Sequence, residues 1–370
     1  MGKLMGSRGK VVVAMSGGVD SSVAACLLHE QGYEVVGFFM RTGVQEGRPE
    51  DPHDRHRGCC SASDAADARY VAGQLGINFY VLNMQQDFES IIDYFTAEYE
   101  RGRTPNPCVV CNDRLKFGKL LAYADSIDAD LVATGHYARI NRRNGSNVLQ
   151  RAVDCNKDQS YVLFGIGRTV LDRILFPLGD MVKDQVREHA RRFGLSVSDK
   201  PDSVDICFVP DRDYVRLVRE RRPEAFVPGE VVDSAGQVVG RHEGVAKFTV
   251  GQRRGLGIAL GLPIYVTKLD AAEHRVTIGP REALLQTGLL AERVNWLVDP
   301  PPEPLRISAQ IRYRHTAASA TAELLEDGLV RVVFDEPQSA ITPGQAVAFY
   351  QGDDCLGGGW IRLAIDLDQK

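Results

Sequence analysis

The first third of the chain alternates short apolar runs with longer amphipathic stretches. Four runs rich in Val, Ile, Leu and Phe have the length of buried strands, and they are residues 11–15, 34–40, 77–82 and 131–134. The stretches between them with helical periodicity are residues 22–31, 61–75 and 87–100. Two of these stretches end at a glycine, Gly32 and Gly76, a common helix stop. Strands that alternate with helices predict an α/β fold, whose parallel sheet carries helices on both faces.

The pattern changes after this first part. The polar stretch 41–58 predicts a loop, and residues 138–152 predict a hairpin around Asn144 and Gly145. Residues 157–224 are predicted to be mostly helical. Short β-type runs then follow at residues 230–233, 246–250, 264–268, 275–278, 306–313, 329–334, 346–350 and 360–364. Strands at this spacing favour C-terminal β domains that include a small barrel or sandwich.

A chain of 370 residues is too long for one ordinary hydrophobic core. The changes of pattern predict three domains. Residues 1–225 form a nucleotide-binding and catalytic domain, with a helical part at about 155–225. Residues 226–285 form a small central β domain, and residues 286–370 form the C-terminal β-barrel.

Composition narrows the possible partners. The 44 Lys and Arg residues against 49 Asp and Glu give a net charge of −5, which argues mildly against a nucleic-acid partner. A basic face can nevertheless exist on an acidic protein. The sequence has no apolar run near the roughly 20 residues of a membrane span, and its first ten residues lack a signal peptide. We therefore expect a cytoplasmic protein with no membrane partner, in which eight cysteines indicate catalysis, metal binding or burial.

The segment SGGVDSS, residues 16–22, lies between the first predicted strand and helix. Its glycines let the backbone approach an anion, which the helix N-terminus attracts. It lacks the Gly-Lys-Ser/Thr of a Walker A loop and resembles the loop of the PP-loop ATPases. That resemblance implies ATP as cofactor, with Asp20 near its phosphates and Mg²⁺. The expected nucleotide contacts are Ala14, Met15, Ser16, Gly17, Gly18, Val19, Asp20, Ser21, Met40 and Gly135.

Two segments place cysteines in distinctive surroundings, TPNPCVVCN at 104–112 and DSVDICF at 202–208. The prolines of the first can hold a thiol in a fixed pose. The alternative for any cysteine is burial as a small hydrophobe, which we expect for Cys26, Cys355 and Cys155. A structural zinc ion bound by Cys59, Cys60, Cys108 and Cys111 is disfavoured, because adjacent cysteines suit one tetrahedral ion poorly and His53 and His56 compete.

Five further motifs complete a pattern that spans nearly the whole chain: TGHYARI at 134–140, NKDQSY at 156–161, GQRRGLG at 251–257, TPGQ at 342–345 and CLGGG at 355–359. Together the motifs resemble the bacterial and mitochondrial tRNA-specific 2-thiouridylase family. The resemblance implies ATP-dependent 2-thiolation of the wobble uridine U34 in tRNAs of the Lys, Glu and Gln type. It also implies adenylation of the C2 oxygen, release of AMP and pyrophosphate, and a sulfur donor that is a cysteine desulfurase or a sulfur relay protein.

The same resemblance assigns roles to three cysteines. Cys111 corresponds to the family's nucleophile, and Cys207 corresponds to the cysteine that carries sulfur as a persulfide. The two would end the reaction as a disulfide that a reductant must reset. Cys108 occupies a position where many relatives have an Asp that is thought to help proton transfer, so this step differs here. A thiol transfers protons only if its pKa is lowered.

Residues for holding RNA follow partly from chemistry and partly from the resemblance. Arg253 and Arg254 offer phosphate contacts, and Arg312 and Tyr313, predicted on a strand with Arg314, can combine charge with stacking. The full set of expected tRNA contacts is Asn106, Pro107, Cys108, His136, Lys157, Asp158, Gln159, Arg253, Arg254, Arg312, Tyr313 and Gln345.

Three other interpretations remain open from the sequence. Cys108, Cys111 and Cys207 could bind a [4Fe–4S] cluster that carries sulfide, which is possible but not favoured. Another PP-loop adenylating synthetase, of the amidotransferase type, would need a glutaminase signature that we do not see. A tRNA-binding protein without catalysis would show an eroded loop or missing cysteines, and both are intact.

Overall fold

The computed structural model describes residues 8–43, 61–143, 145–202, 206–258 and 261–366. The chain divides into two compact units. The first contains residues up to 91, 108–212 and 353–355, and the second contains 92–107, 213–352 and the chain from 356 onward. The finer division into three domains stays a prediction. Most of the predicted loop at 41–58 lies outside the described residues, as do Asn144, Cys59 and Cys60.

A parallel sheet forms the centre of the first unit, as predicted. Its strands are β1 (Lys10–Ala14), β2 (Glu34–Arg41), β3 (Asn78–Asn83), β4 (Leu131–Thr134) and β7 (Ile174–Leu175), in the order β3-β2-β1-β4-β7. Val11, Val12 and Val13 are fully buried, which explains why β1 is apolar throughout rather than alternating. The predicted hairpin is also present, formed by β5 (Arg139–Arg143) and β6 (Ser146–Gln150).

Helices pack around this sheet or continue from it. They are α1 (Val19–Glu30), α2 (Ala62–Leu75), α3 (Gln85–Glu100), α4 (Pro107–Cys111), a π-helix (Asn112–Lys119), α5 (Leu120–Ser126) and α6 (Lys183–Arg192). The side chain of Ser61 caps α2, and Asp64 completes a capping box. Gly76 ends this helix in the left-handed conformation, with φ 65°. Helix α1 is buried along most of its length, and the short connection from Ala14 to Val19 places its N-terminus at the carboxyl end of β1.

The second unit is mainly β structure. One sheet has the order β10-β11-β8-β9 and consists of β8 (Gly229–Val232), β9 (Val238–His242), β10 (Tyr265–Asp270) and β11 (Arg275–Gly279). The other strands are β12 (Leu285–Trp296), β13 (Leu305–Gln310), β14 (Ala318–Leu324), β15 (Val330–Ser339), β16 (Ala346–Gln351) and β17 (Asp354–Ile365), which follow helix α7 (Tyr214–Arg221). Their order is β12-β15-β14-β13-β16-β17, and antiparallel pairing of β12 with β17 closes the predicted barrel.

Three local predictions need correction. In the described part of residues 157–224, the helical elements are α6, α7 and short 3₁₀ turns, and β7 also lies there, so the helices are shorter and more broken than predicted. Residues 246–250 form no strand, because Val245–Lys247 is a 3₁₀ turn that buries Val245 and Phe248 in the core of its sheet. Arg312, Tyr313 and Arg314 lie in a turn after β13 rather than on a strand. An apolar run such as 246–250 indicates that its side chains are buried, but a turn can bury them as well as a strand can.

Among the residues described, none of the helices has the length and apolar character needed to cross a bilayer.

Candidate functional site

The phosphate loop, residues 16–22, connects β1 to α1 as predicted. The Met15 amide donates to the Phe38 carbonyl, so the chain stays in register with β2 up to the loop. The Ser16 amide then donates to the Ser21 hydroxyl over 3.1 Å, and the Ser22 hydroxyl donates to the Gly18 carbonyl over 2.8 Å. Hydrogen bonds within the loop therefore hold its shape, and the loop lies at the positive end of the α1 dipole, where an anion is stabilised.

Two glycines are required by close packing around the phosphate loop. Gly17 has φ +72°, and a Cβ there would lie 2.1 Å from the carbonyl oxygen of Asp64. Gly135 follows β4, and a Cβ there would lie 2.7 Å from the amide nitrogen of Ser21. Neither position can accept a side chain without moving backbone atoms. Gly135 therefore borders the first turn of α1.

The remaining expected nucleotide contacts lie at the same edge of the sheet. Ala14 pairs in register with Phe38 and Thr134, and Met40 lies two residues further along β2. The carboxyl ends of parallel strands meet at one edge, where ligands of open α/β sheets bind. The structure thus brings Ala14, Met40 and Gly135 to the edge that carries the phosphate loop.

Asp20, in the first turn of α1, is the centre of a polar network. The Lys183 ammonium donates to its two carboxylate oxygens over 2.7 and 2.9 Å, and the Tyr137 hydroxyl donates to Oδ1 over 2.9 Å. Lys183 and Tyr137 are buried, whereas the Asp20 side chain keeps 32% of its exposure. Asp20 is therefore held in one pose but remains accessible to a ligand.

A second carboxylate, Asp202, shares the Lys183 ammonium. Lys183 lies 2.8 Å from Oδ1 of Asp202, Arg187 lies 3.1 Å from the same atom, and Lys157 donates to Oδ2 over 2.7 Å. Burial alone would raise the pKa of Asp202, but the hydrogen bonds from Lys157 and Lys183 outweigh it and lower the pKa to about 2. Asp202 is thus ionised at neutral pH.

Another lysine anchors the loop from a different side. The Lys200 ammonium donates to the Gly17 carbonyl over 2.9 Å, to Asp64 over 2.5 Å and to Asp67 over 2.9 Å. Asp64 is buried, so this ion pair is shielded from water. Sequence reasoning missed both lysines, because Lys183 is 163 residues from Asp20 and Lys200 is 183 residues from Gly17.

Cys111 is the last residue of α4, and a π-helix follows it directly. The Cys111 side chain is half-buried and Cys108 is exposed. Residues three apart share a helix face, so the two thiols are neighbours on α4. Asn112 is buried and its amide donates to the Val162 carbonyl over 2.9 Å, which fixes the residue after Cys111.

Cys207 is half-buried and lies on a segment that contacts α3. The ring of Phe208 meets the ring of Phe88 edge to face, with centroids 5.7 Å apart. The π-helix reaches the same turn of α3, because Lys119 pairs with Asp87 over 3.1 Å. The first turn of α3 therefore contacts both Phe208, next to Cys207, and Lys119, at the end of the π-helix that follows Cys111.

The other cysteines differ in their surroundings. Cys26 and Cys355 are buried as expected, and burial raises the pKa of Cys26 to about 11. Cys155 is exposed, contrary to expectation, because it lies in a polar turn whose Asn156 amide donates to Asp154. Within the described ranges, His, Cys, Asp and Glu side chains nowhere form a group of three arranged to hold a metal ion.

Residues 104–107, here named the TPNP loop, belong to the second unit and are buried. The Gln345 side-chain amide donates to the carbonyls of Thr104 and Pro105 over 3.1 and 3.0 Å. The Thr104 amide donates to the Pro343 carbonyl, and a Cβ at Gly344 would lie 3.0 Å from the Thr104 nitrogen. The TPGQ motif thus holds the TPNP loop, a contact that the sequence did not suggest for Gln345.

The other expected RNA contacts of the second unit are on its surface. Arg253 and Arg254 are exposed, and so are Arg312 and Tyr313. The buried Gln310 amide donates to the carbonyls of both Arg312 and Tyr313, which fixes their turn. Exposed cations and an exposed aromatic ring are suited to phosphate contacts and stacking.

Four expected RNA contacts in the first unit make internal bonds. His136 is buried, its Nδ1 lies 2.7 Å from the Thr134 hydroxyl, and burial together with the charge of Lys116 holds the pKa of His136 well below its usual range. The partners of the others are Asp202 for Lys157, Arg151 for Asp158 and the Tyr137 amide for Gln159. These four residues therefore shape the first unit in addition to any contact with RNA.

Three family models match the chain in succession. The tRNA methyl transferase HUP domain matches residues 9–211, the tRNA methyl transferase PRC-barrel domain matches 216–280, and the aminomethyltransferase beta-barrel domain matches 286–361.

Curated relatives are similar over almost their whole length. The tRNA-specific 2-thiouridylase MnmA of Geobacter metallireducens is 50% identical over 361 residues, which are 97% of this chain and 98% of that protein. The protein of the same name from Carboxydothermus hydrogenoformans is 51% identical over 362 residues, 97% of this chain and 99% of that protein.

A solved structure, U34-tRNA thiolase NcsA from Methanococcus maripaludis with its [4Fe-4S] cluster, is 17% identical, with a TM-score of 0.34. The match covers 60% of this chain and 70% of that chain, and a likeness at this level carries no functional argument.

Proposed function

Because the chain belongs to the tRNA-specific 2-thiouridylase family, we propose that it replaces the C2 oxygen of uridine 34 in tRNA by sulfur at the expense of ATP. The identity of about 50% to named 2-thiouridylases over almost the full chain carries this proposal. The geometry supports it, because an anion-binding loop without lysine occurs in the same unit as Cys108, Cys111 and Cys207. The tRNAs are of the Lys, Glu and Gln type, and a cysteine desulfurase or sulfur relay protein supplies the sulfur.

Activation takes place at the phosphate loop. The loop amides and the N-terminus of α1 bind the phosphates of ATP, and Asp20 would hold the accompanying Mg²⁺, which neutralises the departing pyrophosphate. The uracil O2 atom attacks the α-phosphorus, pyrophosphate leaves with the bonding electrons, and the N3 proton is lost. The resulting C2–O–AMP group has a good leaving group where uracil had a poor one.

Sulfur transfer uses both thiols, and it follows one of two routes. The terminal sulfur of a Cys207 persulfide attacks C2 and AMP leaves, after which the Cys111 thiolate attacks Sγ of Cys207 and releases 2-thiouridine. Alternatively, Cys111 attacks Sγ first and liberates hydrosulfide, which then attacks C2. Each route ends with a Cys111–Cys207 disulfide, which a thiol reductant must open.

Cys108 takes the place of an acidic proton carrier in this mechanism. It is exposed and three residues before Cys111 on the same helix. A thiol whose pKa is not lowered is mostly protonated at neutral pH, so it accepts a proton less readily than a carboxylate does. Cys108→Asp should therefore raise the thiolation rate below pH 8, and Cys108→Ser should lower the rate without abolishing it.

RNA recognition combines a buried and an exposed set of residues. Asn106 and Pro107 of the TPNP loop border the uracil after it leaves its stack. Arg253 and Arg254 contact phosphates, so tRNA affinity should fall steeply with salt despite the negative net charge. Reversing both charges to Glu should weaken tRNA binding and leave ATP affinity unchanged.

A single-turnover assay tests the proposal. Iron-free enzyme that carries a Cys207 persulfide is mixed with Mg·ATP and unmodified tRNA, and nucleosides and nucleotides are analysed by mass spectrometry. We expect 2-thiouridine, AMP and pyrophosphate, with loss of thiolation but not of adenylation in Cys111→Ser and Cys207→Ser. ADP as the main nucleotide product, or thiolation only after iron and sulfide are added, would contradict the proposed mechanism.

A further inference from the structure

Three lysine ammonium groups lie near the edge of the parallel sheet that carries the phosphate loop, and they differ in how many acceptors surround them. Lys183 has three carboxylate oxygens around its Nζ atom, and Lys200 donates to three oxygens. An ammonium has three hydrogens, so both groups are saturated. Among the residues that the structure describes, the third lysine, Lys116, has one hydrogen-bond partner, Nε2 of His136 at 3.3 Å, and no ion pair.

Lys116 reaches this edge of the sheet because its partner closely follows β4. The strand ends at Thr134, Gly135 borders Ser21 in the first turn of α1, and His136 comes next. The imidazole of His136 is buried, and its second ring nitrogen lies 2.7 Å from the Thr134 hydroxyl. The ammonium of Lys116 is therefore held at the carboxyl end of β4, on the side of a parallel sheet where ligands bind.

The hydrogen bonds define the charge of this pair. An ammonium only donates, so Nε2 of His136 accepts from Lys116, and Nδ1 carries the hydrogen that it donates to the Thr134 hydroxyl. Burial, together with the charge of Lys116, holds the pKa of His136 well below its usual range, so the ring is neutral at neutral pH. The ring thus orients the ammonium without neutralising it and leaves two of its hydrogens for another acceptor.

The surroundings of Lys116 favour an anion as that acceptor. Lys116 is half-buried, and its side chain reaches His136 from the π-helix. A charge that is partly removed from water is unfavourable unless an opposite charge balances it. The carboxylates of this edge, Asp20 and Asp202, are bound by Lys183 instead. A bound ligand with negative charge would therefore complete the environment of the Lys116 ammonium.

We propose that Lys116 is a further catalytic residue, which donates to the non-bridging oxygens of the ATP α-phosphate and stabilises the negative charge on them during adenylation. The proposal rests on the proposed function, with ATP as the ligand of the phosphate loop. Lys116 lies on the π-helix that directly follows Cys111, while its ammonium reaches the nucleotide edge. The α-phosphorus is the atom at which ATP and uracil meet, so it is the phosphate that a group between these two sites contacts.

Lys116 gives up no proton in this step. The bond that forms joins uracil O2 to the α-phosphorus, and the bond that breaks releases pyrophosphate with its electrons, as in the reaction proposed above. A fixed cation beside the equatorial oxygens stabilises the transition state of such a transfer. The phosphate loop has no lysine of its own, and Lys116 supplies this charge from another element of the same unit.

Calorimetric titration of the full-length protein with AMP and with adenosine tests the contact, because these ligands differ only in the α-phosphate. The native protein should prefer AMP. Lys116→Met should lower this preference about ten-fold or more, the effect of one charge-assisted hydrogen bond, and should leave adenosine affinity unchanged. Lys116→Arg, which keeps a cation, should retain most of the preference.

Pyrophosphate release from ATP in the presence of unmodified tRNA tests the catalytic role. In Lys116→Met the kcat of this release should fall about 100-fold or more, as when a single donor to a developing anion is removed, and KM for ATP should change much less. Lys119→Met is the matched control, because Lys119 lies on the same π-helix and is exposed and paired with Asp87. It should change neither the AMP preference nor pyrophosphate release.

The outcomes separate the role of Lys116 from the proposed function. A native protein with no preference for AMP, or a full preference in Lys116→Met, overturns the assignment of Lys116. Equal losses of AMP and adenosine affinity in Lys116→Met also overturn it, because they would reveal a purely structural role. A native protein that converts ATP to ADP, or that releases no pyrophosphate, refutes the proposed function itself.

Discussion

The phosphate loop and the TPNP loop are both held by residues far away in the sequence, but through different kinds of bonds. Around the phosphate loop, the ammonium groups of Lys183 and Lys200 bind carboxylates and one carbonyl. Around the TPNP loop, the neutral amide of Gln345 and the carbonyl of Pro343 bind backbone groups. Phosphate competes with carboxylates for an ammonium, whereas it does not compete with an amide that bonds to a carbonyl. The first loop is thus built to respond to its ligand, and the second is built to remain fixed.

The largest effect is expected where backbone packing, rather than charge, holds the phosphate loop. Gly17→Ala places a methyl group 2.1 Å from the Asp64 carbonyl oxygen and imposes a left-handed conformation on a residue with a side chain. The free energy of unfolding should fall by about 4 kcal/mol, with loss of adenylation. Gly73→Ala is the control, because a Cβ there meets nothing within 4 Å, and it should be neutral or slightly stabilising in urea denaturation.

A substitution of Lys200 tests the ionic contacts that hold the phosphate loop. Lys200→Met leaves the buried carboxylate of Asp64 without its cation and should lower the free energy of unfolding by about 3 kcal/mol. Lys119→Met removes an exposed pair with Asp87 and should cost less than about 1 kcal/mol. Equal losses in the two variants, measured by chemical denaturation, would show that burial of the Lys200 pair is unimportant.

A substitution of Gln345 tests the neutral hydrogen bonds that hold the TPNP loop. Gln345→Leu removes two hydrogen bonds to the TPNP loop, which should cost about 2 kcal/mol and slow thiolation of tRNA. Nucleotide affinity should not change. Gln351→Leu, at an exposed end of β16, is the control and should keep the native rate. Thiolation kinetics measure the rate and nucleotide titrations measure the affinity. A changed nucleotide affinity in Gln345→Leu would contradict the view that the TPNP loop does not respond to nucleotide.

The smallest effect concerns acid stability. Because the fold lowers the pKa of Asp202 to about 2, its contribution to stability is complete above the ordinary aspartate pKa of about 3.9 and is lost as pH falls towards 2. The melting temperature of Asp202→Asn should therefore fall less than that of the native protein between about pH 4 and pH 2. Parallel curves in calorimetry would show that the three cations do not stabilise the ionised form.

The sequence predicted the elements that depend on local pattern and left out the contacts that depend on the fold. The apolar runs of β1, β2 and β4 and the stop at Gly76 follow from periodicity and glycine chemistry. Nothing near Lys183 or Lys200 indicates a partner, because each is one charged residue among 44 basic ones and meets its loop only after folding.

Other outcomes show the same limit of local pattern. The apolar run 246–250 predicts a strand, but Ala246 and Phe248 are buried there by a 3₁₀ turn and the residue after it, without strand pairing. Gln345 was expected to contact RNA, and its bond to Thr104 across 241 residues cannot be deduced from TPGQ. The roles of Cys111, Cys207 and Cys108 stay predictions that the thiolation assays address.

The π-helix after Cys111 has a consequence for how the cysteine is aimed. A π-turn contains one residue more than an α-turn, so it shifts the angular phase of all residues before it by about 100° relative to those after it. Leu115 and Leu120 are buried in the first unit, and their orientation is set by packing. Because of the extra residue, the direction in which the Cys111 side chain points is not fixed by the packing of these leucines. Deletion of one residue between Asn112 and Lys119 should leave a well-packed helix whose thiol points the wrong way.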